Sequence, residues 1–290
     1  MTRLDQELVS RGLARSRGHA RDLVDHGVVR VAGAVAHKPA LTVGHDDEIS
    51  LDVTAEDATT VLDAHWVSRG AGKLLGALED LSRGGPAIAG RRTADVGACT
   101  GGFTQVLLER GAAHVFAIDV GHDQLAASLR QDPRVSDLSG VNARDLTADH
   151  LGGPVGLVVA DLSFISLTLV IERLAGITDQ SGDLLVLIKP QFEVGRAGLD
   201  GRGVVRDGRW RRDALRVVLA AALDAGLDVE DLVLSRTRGM EGNTEFVAWL
   251  RKSAGRTPAP TSATSTWDSV SERIDVLIAA TVSATNGDRG

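Results

Sequence analysis

A single cysteine, Cys99, stands in 290 residues. That count excludes a disulfide framework and a cysteine-built zinc site, and no metal is expected. Long apolar runs are missing too: no stretch approaches the ~18 uninterrupted apolar residues that read as a membrane-spanning helix. The chain opens MTRLDQELVSRG, charged from the outset and without an apolar leader-like segment, so a cytoplasmic protein is expected. Positive charge is scarce as well: 32 Lys and Arg face 39 Asp and Glu, a formal net charge of −7. Whole-chain attraction to nucleic acid is thereby excluded, and any basic surface must be local. What is present is a 43% apolar composition, enough for a sizeable core. At roughly 150 residues each, about two domains are expected.

Three regions differ in texture. In the first, helical patterns around Arg3–Arg11 and Ser16–His26 precede β-like pieces, VVRVAG, AVAHKP and DEISL. Gly27 is expected to end the second helix as a left-handed cap, with a glycine turn at Gly33. Arg11, Arg15, Arg17, Arg21 and Arg30 face only Asp22 and Asp25 in this stretch, a local excess of three positive charges. The second region alternates strand-like runs (93–99, 114–120, 156–162, 183–190, 227–236, 245–252) with helical patterns such as WRRDALRVVLAAALDAG. The interior runs are continuously apolar, as strands covered on both faces should be. Repeated βα units predict an α/β fold with a doubly wound, mostly parallel sheet. From Ser253, SAGRTPAPTSATST reads as a linker. Trp267–Ala284 then has helical apolar spacing, consistent with either a docked terminal helix or a frayed tail.

The stretch DVGACTGGF carries the ligand signal. It lacks the G-x-G-x-x-G spacing of dinucleotide binders, and Phe103-Thr104 stands where a P-loop needs Lys followed by Ser or Thr. What remains is Asp95-x-Gly97 at a strand end, Gly101-Gly102 at the turn, Phe103 opening the helix, and Asp119 ending the next strand. Glycines let backbone approach a ligand closely. Asp119 can accept both hydroxyls of a ribose, and Asp95 can meet an ammonium. This set suits S-adenosylmethionine, which has a ribose and an amino-acid head but no phosphate. Asn142 or Asp145 is expected on the adenine side. Cys99 is read as a packing residue.

Strand ends in open α/β sheets face the ligand crevice. Asp161 ends GLVVAD, and Lys189 ends LLVLIK before Pro190 breaks the strand. Glu245 opens the last strand, and Lys73 precedes a helical pattern. Singly, each reads equally as an ordinary surface or strand-end charge. Brought to one crevice, they would form a base with its positioning groups, suited to a poorly acidic hydroxyl attacking a methyl sulfonium. Arg69, Arg196 and Arg206 add charge nearby. The glycine-rich loop Gly195–Gly208, with Gly198, Gly201, Gly203 and Arg202, is expected to be pliable and to cover the crevice.

The stretches WVSRGAGKL, DVGACTGGFT, ADLSFISL, LIKPQFEVGR, GRGVVRD and GMEGNTEF together resemble the TlyA family of ribosomal RNA 2′-O-methyltransferases, whose members also carry the name haemolysin. The likeness spans about residues 1–252. It implies a domain similar to that of small-subunit ribosomal protein four at 1–62, small, α+β and RNA-binding. It further implies a linker at 63–67 and a Rossmann-like, FtsJ-type methyltransferase domain at 68–252; residues 253–290 remain as a tail. It implies a Lys73-Asp161-Lys189-Glu245 catalytic tetrad, S-adenosylmethionine as cofactor, and cytidine ribose in ribosomal RNA of either or both subunits as substrate. A monomer acting on ribosomal RNA or ribosomal subunits, with no membrane partner, is expected. Ala64 departs from the arginine the family favours two places before the tryptophan. Three other readings compete with it: an RNA-binding assembly protein with an inactive methyltransferase fold, a haemolysin, and a small-molecule methyltransferase. The last leaves the arginine-rich first region without a role.

Overall fold

The computed structural model describes residues 2–14, 17–25, 27–44, 47–51, 65–253 and 260–287. The chain forms two compact units, Met1–Ser68 and Arg69–Gly290.

The first unit is a small α+β body. Helices α1 (Leu4–Ser10) and α2 (Arg17–Asp25) pack on short strands β1 (Thr2–Arg3), β2 (Val29–Val31), β3 (Ala34–Val35), β4 (Thr42–Val43) and β5 (Ile49–Leu51). Leu4 and Leu8, one helical turn apart, meet Leu23, Val24, Val29 and Val43 in its core. Gly27 (φ +71°) takes the left-handed conformation beyond α2, and its N–H bonds the Val24 carbonyl at 3.0 Å. Ala32 and Gly33 turn β2 into β3, both with positive φ. Residues 52–64, including Ala64 and the start of the expected linker, lie outside the described residues, as does Arg15.

The second unit is built on a seven-stranded sheet. Its strands are β6 (Arg92–Val96), β7 (His114–Asp119), β8 (Val135–Ser139), β9 (Val155–Ala160), β10 (Thr178–Ile188), β11 (Leu227–Leu234) and β12 (Phe246–Lys252). They lie in the order β11-β12-β10-β9-β6-β7-β8. Pairings from β10 through β8 are parallel; β12 runs antiparallel to both its neighbours. The sheet is thus mostly parallel, as its buried apolar strands require. Helices α6 (Ile171–Gly176), α7 (Gly208–Asp224) and α8 (Pro260–Gly287) cover one face through Leu174, Leu215, Val218 and Ile274. Helices α3 (Gly70–Asp80), α4 (Gly102–Glu109) and α5 (Ala127–Arg130) complete the unit.

Several expectations change. The β6 strand stops at Val96, before Gly97 turns the chain with φ +89°. Strand β8 went unpredicted; it is an edge strand whose residues are all half-buried, so VSDLS carries no apolar run. The C-terminal segment is a docked helix: Val270, Ile274 and Ile278, spaced by four, enter the core. That helix begins at Pro260, inside the stretch read as linker, because proline is preorganised for a first helical turn. Residues 254–259 lie outside the described residues.

Candidate active site

Chain order explains where the charged groups meet. From β6 the chain steps outward to β7 and β8, then returns to the other side of β6 as β9, so the sheet switches direction between β6 and β9. In open α/β sheets the ligand crevice lies outside the carboxyl ends of strands at such a switch point. Asp161 follows β9, and Lys189 follows β10. Because β12 is antiparallel, its amino end lies at that same edge, with Phe246 opposite Ile188; Glu245 directly precedes it. Helix α3 delivers Lys73 to the group.

The four side chains form an alternating row. Lys189 Nζ lies 2.7 Å from Asp161 Oδ1, a contact without hydrogen-bonding alignment. Asp161 Oδ2 is 3.7 Å from Lys73 Nζ, which donates to Glu245 Oε2 at 2.7 Å. Glu245 is 2% exposed and Lys189 6%. Burial of such groups is costly unless they are paired and hydrogen-bonded. Two neighbours that sequence reading missed complete the row. Lys189 Nζ donates to Ser163 Oγ at 2.8 Å, and Gln191 Nε2 donates to Glu245 Oε1 at 3.2 Å. Each stands two residues beyond a tetrad member, the only signal the sequence offered. Gly239 was also missed: a Cβ there would lie 2.2 Å from Glu245 Oε1, so the carboxylate fills the space above a bare backbone.

The glycine loop adjoins this row. A Cβ on Gly97 would lie 2.7 Å from the Asp161 carbonyl oxygen, and one on Gly101 (φ +98°) 2.3 Å from Leu129 Cδ1. Gly102 starts α4, and Phe103 is buried behind it. Asp95 is fully buried. Its Oδ2 accepts from Thr104 Oγ1 at 2.7 Å, while Oδ1 accepts nothing. Burial, opposed by the Thr104 hydrogen bond and reinforced by Asp161 and Asp119, pushes its carboxyl up to about 7. Asp119 accepts the N–H groups of Cys99 at 2.9 Å and Gly121 at 2.8 Å, one on each oxygen. Each oxygen therefore keeps acceptor capacity for a further hydroxyl. Cys99 does not pack: its side chain is exposed, and its backbone, at φ +48°, is what the loop uses. Asn142 and Asp145 are exposed beyond β8, where Asn142 Oδ1 accepts from Arg144 N at 3.0 Å in a local turn.

The candidate RNA-facing arginines divide. In the first unit, Arg11 donates to Glu7 Oε1 (2.8 Å) and to the Asp47 (2.7 Å) and Gly44 (3.3 Å) carbonyls, which ties it into its own fold. Arg17 reaches Asp5 at 3.2 Å but stays exposed, as does Arg21. In the second unit Arg69, Arg196, Arg202 and Arg206 are exposed. The 195–208 loop is less pliable than its glycines suggest. Asp200 accepts from Arg202 N (2.8 Å), Val204 N (2.9 Å) and Arg206 Nε (2.6 Å). Asn243 clamps the same loop, accepting from Val205 N at 3.0 Å and donating to the Gly203 carbonyl at 3.1 Å. Among the described residues no group of three or more His, Cys, Asp or Glu is arranged to hold a metal, and no helix is long and apolar enough to cross a membrane.

A methyltransferase-type sheet bearing this row of charges, preceded by a small α+β unit, defines the class. Residues 66–252 match the FtsJ-like methyltransferase family and residues 2–49 the S4 domain. Over 254 residues the chain is 49% identical to the 16S/23S rRNA (cytidine-2′-O)-methyltransferase TlyA of Mycobacterium tuberculosis, covering 88% of this chain and 91% of that protein. It is 32% identical to Hemolysin A of Brachyspira hyodysenteriae, covering 85% of this chain and 98% of that one. A solved hemolysin-named structure from Streptococcus thermophilus aligns over 98% of both chains, with 34% identity and a TM-score of 0.70. The chain belongs to the TlyA family of FtsJ-like methyltransferases.

Proposed function

We propose that this protein transfers a methyl group from S-adenosylmethionine to the 2′-hydroxyl of a cytidine ribose in ribosomal RNA, in the small subunit, the large subunit or both. The observation that carries the reading is the Lys189–Asp161–Lys73–Glu245 row at the switch point of the sheet, within ion-pairing distance throughout. The cofactor fits the residues present. Asp95 Oδ1 is a buried acceptor with no partner, suited to the ammonium of the amino-acid head. Asp119 keeps acceptor capacity for the ribose hydroxyls, and Gly97, Gly101 and Gly102 keep the loop backbone bare. Phe103 buttresses the loop, and Asn142 and Asp145 flank the adenine side.

When bound, S-adenosylmethionine supplies an electrophilic methyl group on a sulfonium. The chain's own groups then have separable tasks. Lys189 takes or orients the 2′-hydroxyl proton, held in place by Asp161 and Ser163. Lys73 adds positive potential beside the hydroxyl oxygen and is fixed by Glu245, which Gln191 braces from its other oxygen. Positioning of this kind is the main requirement for attack in line on a methyl group, and a proton acceptor contributes typically 10²–10⁴-fold.

The first unit is proposed to hold RNA phosphates through Arg17 and Arg21, with Arg11 and Arg15 as further candidates from the same stretch of sequence. Arg69, Arg196 and Arg206 serve the second unit. The proposed division is RNA binding at 1–62, a linker at 63–67 and methyl transfer at 68–252, and a monomer acting on ribosomal subunits in the cytoplasm is the proposed assembly. The name of the Brachyspira relative favours a second reading, lysis of membranes. Mapping 2′-O-methylation in ribosomal RNA from cells with and without the gene tests the first reading. A methylated cytidine that disappears with the gene is expected, and identical maps would overturn it. Lysis of erythrocytes by the purified chain would support the second.

A further inference from the structure

One cluster of cations outside the tetrad forms no ion pair with an acid among the described residues. Arg211, in the first turn of α7, is 5% exposed. Its Nη2 donates to the Arg206 carbonyl at 2.8 Å and its Nη1 to Thr244 Oγ1 at 3.3 Å, while its buried Nε donates to nothing. Arg238 approaches from the exposed side and donates from Nη1 to the same Thr244 oxygen at 2.7 Å. Among the described residues no acid forms an ion pair with either guanidinium. The acid that bears on Arg211 is Asp207, whose carboxylate is engaged by Arg209 through N (2.8 Å), Nε (3.0 Å) and Nη2 (2.7 Å). Burial, and then the charge of Arg238, hold Arg211 below the usual guanidinium range.

A buried cation facing another cation is costly unless an anion completes the set. The hydroxyl of Thr244 accepts from both arginines and still has its own proton to donate. The cluster thus offers surplus donors: the hydroxyl, the remaining N–H groups of exposed Arg238, and the charge of Arg211 beneath. Guanidinium forks and a hydroxyl match the oxygens of a phosphate. The location selects the source, because Thr244 immediately precedes Glu245 of the tetrad. We propose that Arg238 and Thr244, supported from below by Arg211, bind a backbone phosphodiester of the RNA beside the nucleotide being methylated. This rests on the RNA-methyltransferase reading above. Arg238 and Thr244 contact the phosphate; Arg211 positions Thr244 and contributes charge.

The test uses the full chain with Arg238→Gln and Arg238→Lys. Binding of a ribosomal RNA fragment is followed by fluorescence anisotropy from low to high salt, and thermal melting is followed with and without inorganic phosphate. Loss of one phosphate contact should flatten the plot of log affinity against log salt by about one unit of slope. Arg238→Gln should therefore bind RNA about tenfold more weakly at low salt, and Arg238→Lys should recover most of the slope. The melting temperature of Arg238→Gln without phosphate should not fall, because the substitution relieves repulsion on Arg211. Phosphate should raise the melting temperature of the wild type more than that of Arg238→Gln. An unchanged slope with a lowered melting temperature would mean that Arg238 only braces Thr244, and would overturn the proposal. Phosphate discrimination with an unchanged RNA slope would assign the site to free phosphate and overturn the RNA assignment. Absence of methyl transfer by the wild type, with the slope difference intact, would strike the proposed reaction and not this site.

Discussion

Replacing Gly239 by alanine should silence the site without unfolding the protein. The added Cβ would fall 2.2 Å from Glu245 Oε1, 2.7 Å from its Cδ and 3.3 Å from its Cγ. All three atoms belong to one side chain, so relief comes from swinging the carboxylate aside. To restore a contact near 3.5 Å the carboxylate must move by about 1 Å or more. Its 2.7 Å bond from Lys73 and its 3.2 Å bond from Gln191 cannot both survive that shift. Lys73 keeps the 3.7 Å contact with Asp161, so its charge is not left wholly unpaired. The stability cost should then be about 1–3 kcal/mol, that of a disturbed buried hydrogen bond. Misplacement by ~1 Å costs about 10²-fold in rate. Methyl transfer to ribosomal RNA, measured in single turnover, should therefore fall about a hundredfold, while cofactor affinity by calorimetry stays within about twofold, since Asp95 and Asp119 are untouched. A rate within about threefold of wild type would refute the reasoning, as would loss of cofactor binding in parallel with activity.

Other expectations follow from the same geometry. Asp95 has a folded-state pKa of about 7, above its ordinary 3.8. The folded protein therefore binds the extra proton between those values, and stability contributed by protonated Asp95 is lost as pH rises from about 4 to 7. Asp95→Asn should flatten that part of a pH–stability profile, and a profile unchanged by the substitution would contradict the assignment. A ligand ammonium favours the carboxylate, so cofactor binding near pH 6 should release a proton and tighten towards pH 7. Buffers of different ionisation enthalpy in calorimetry would expose that proton. Asp119→Ala should weaken cofactor binding by ~1.5–3 kcal/mol, the worth of hydrogen bonds to a charged group; unchanged affinity would remove Asp119 from the site. Ile274 is fully buried, so Ile274→Ala should cost ~2–5 kcal/mol in denaturant unfolding if helix α8 is part of the core. A loss under ~0.5 kcal/mol would mean that it is not.

Much of this site was legible in the residues, and what was hidden has physical causes. The loop signal was local: an acid and a glycine at a strand end, two glycines, then a second acid one strand later, all within 25 residues from Asp95 to Asp119. The convergence of Lys73 with Glu245 was not local. These groups are 172 residues apart, and what joins them is the reversal of β12, which no periodicity reveals. Strand β8 is invisible in the sequence because an edge strand, paired among the described residues to β7 alone, needs no apolar run. The terminal helix starts among Ser and Thr residues that favour neither state; tertiary docking of Val270, Ile274 and Ile278 decides it. Cys99 was misplaced because composition cannot distinguish a loop position chosen for its backbone from one chosen for its side chain. The 195–208 loop reads as pliable because five glycines fall within 14 residues, whereas its clamps, Asp200 and Asn243, act through side-chain contacts with backbone N–H groups.

The central claim is that the paired lysines and acids perform methyl transfer to a ribose of ribosomal RNA, with Lys189 at the reacting hydroxyl. Purified wild type and Lys189→Ala should be incubated with unmodified ribosomal subunits and S-adenosylmethionine, and the RNA mapped for 2′-O-methylation. The account predicts a new 2′-O-methylcytidine with the wild type and a loss of at least ~10²-fold with Lys189→Ala, while calorimetric cofactor affinity stays nearly intact. Near-normal methylation by Lys189→Ala at saturating cofactor, or no ribose methylation by the wild type, would contradict it.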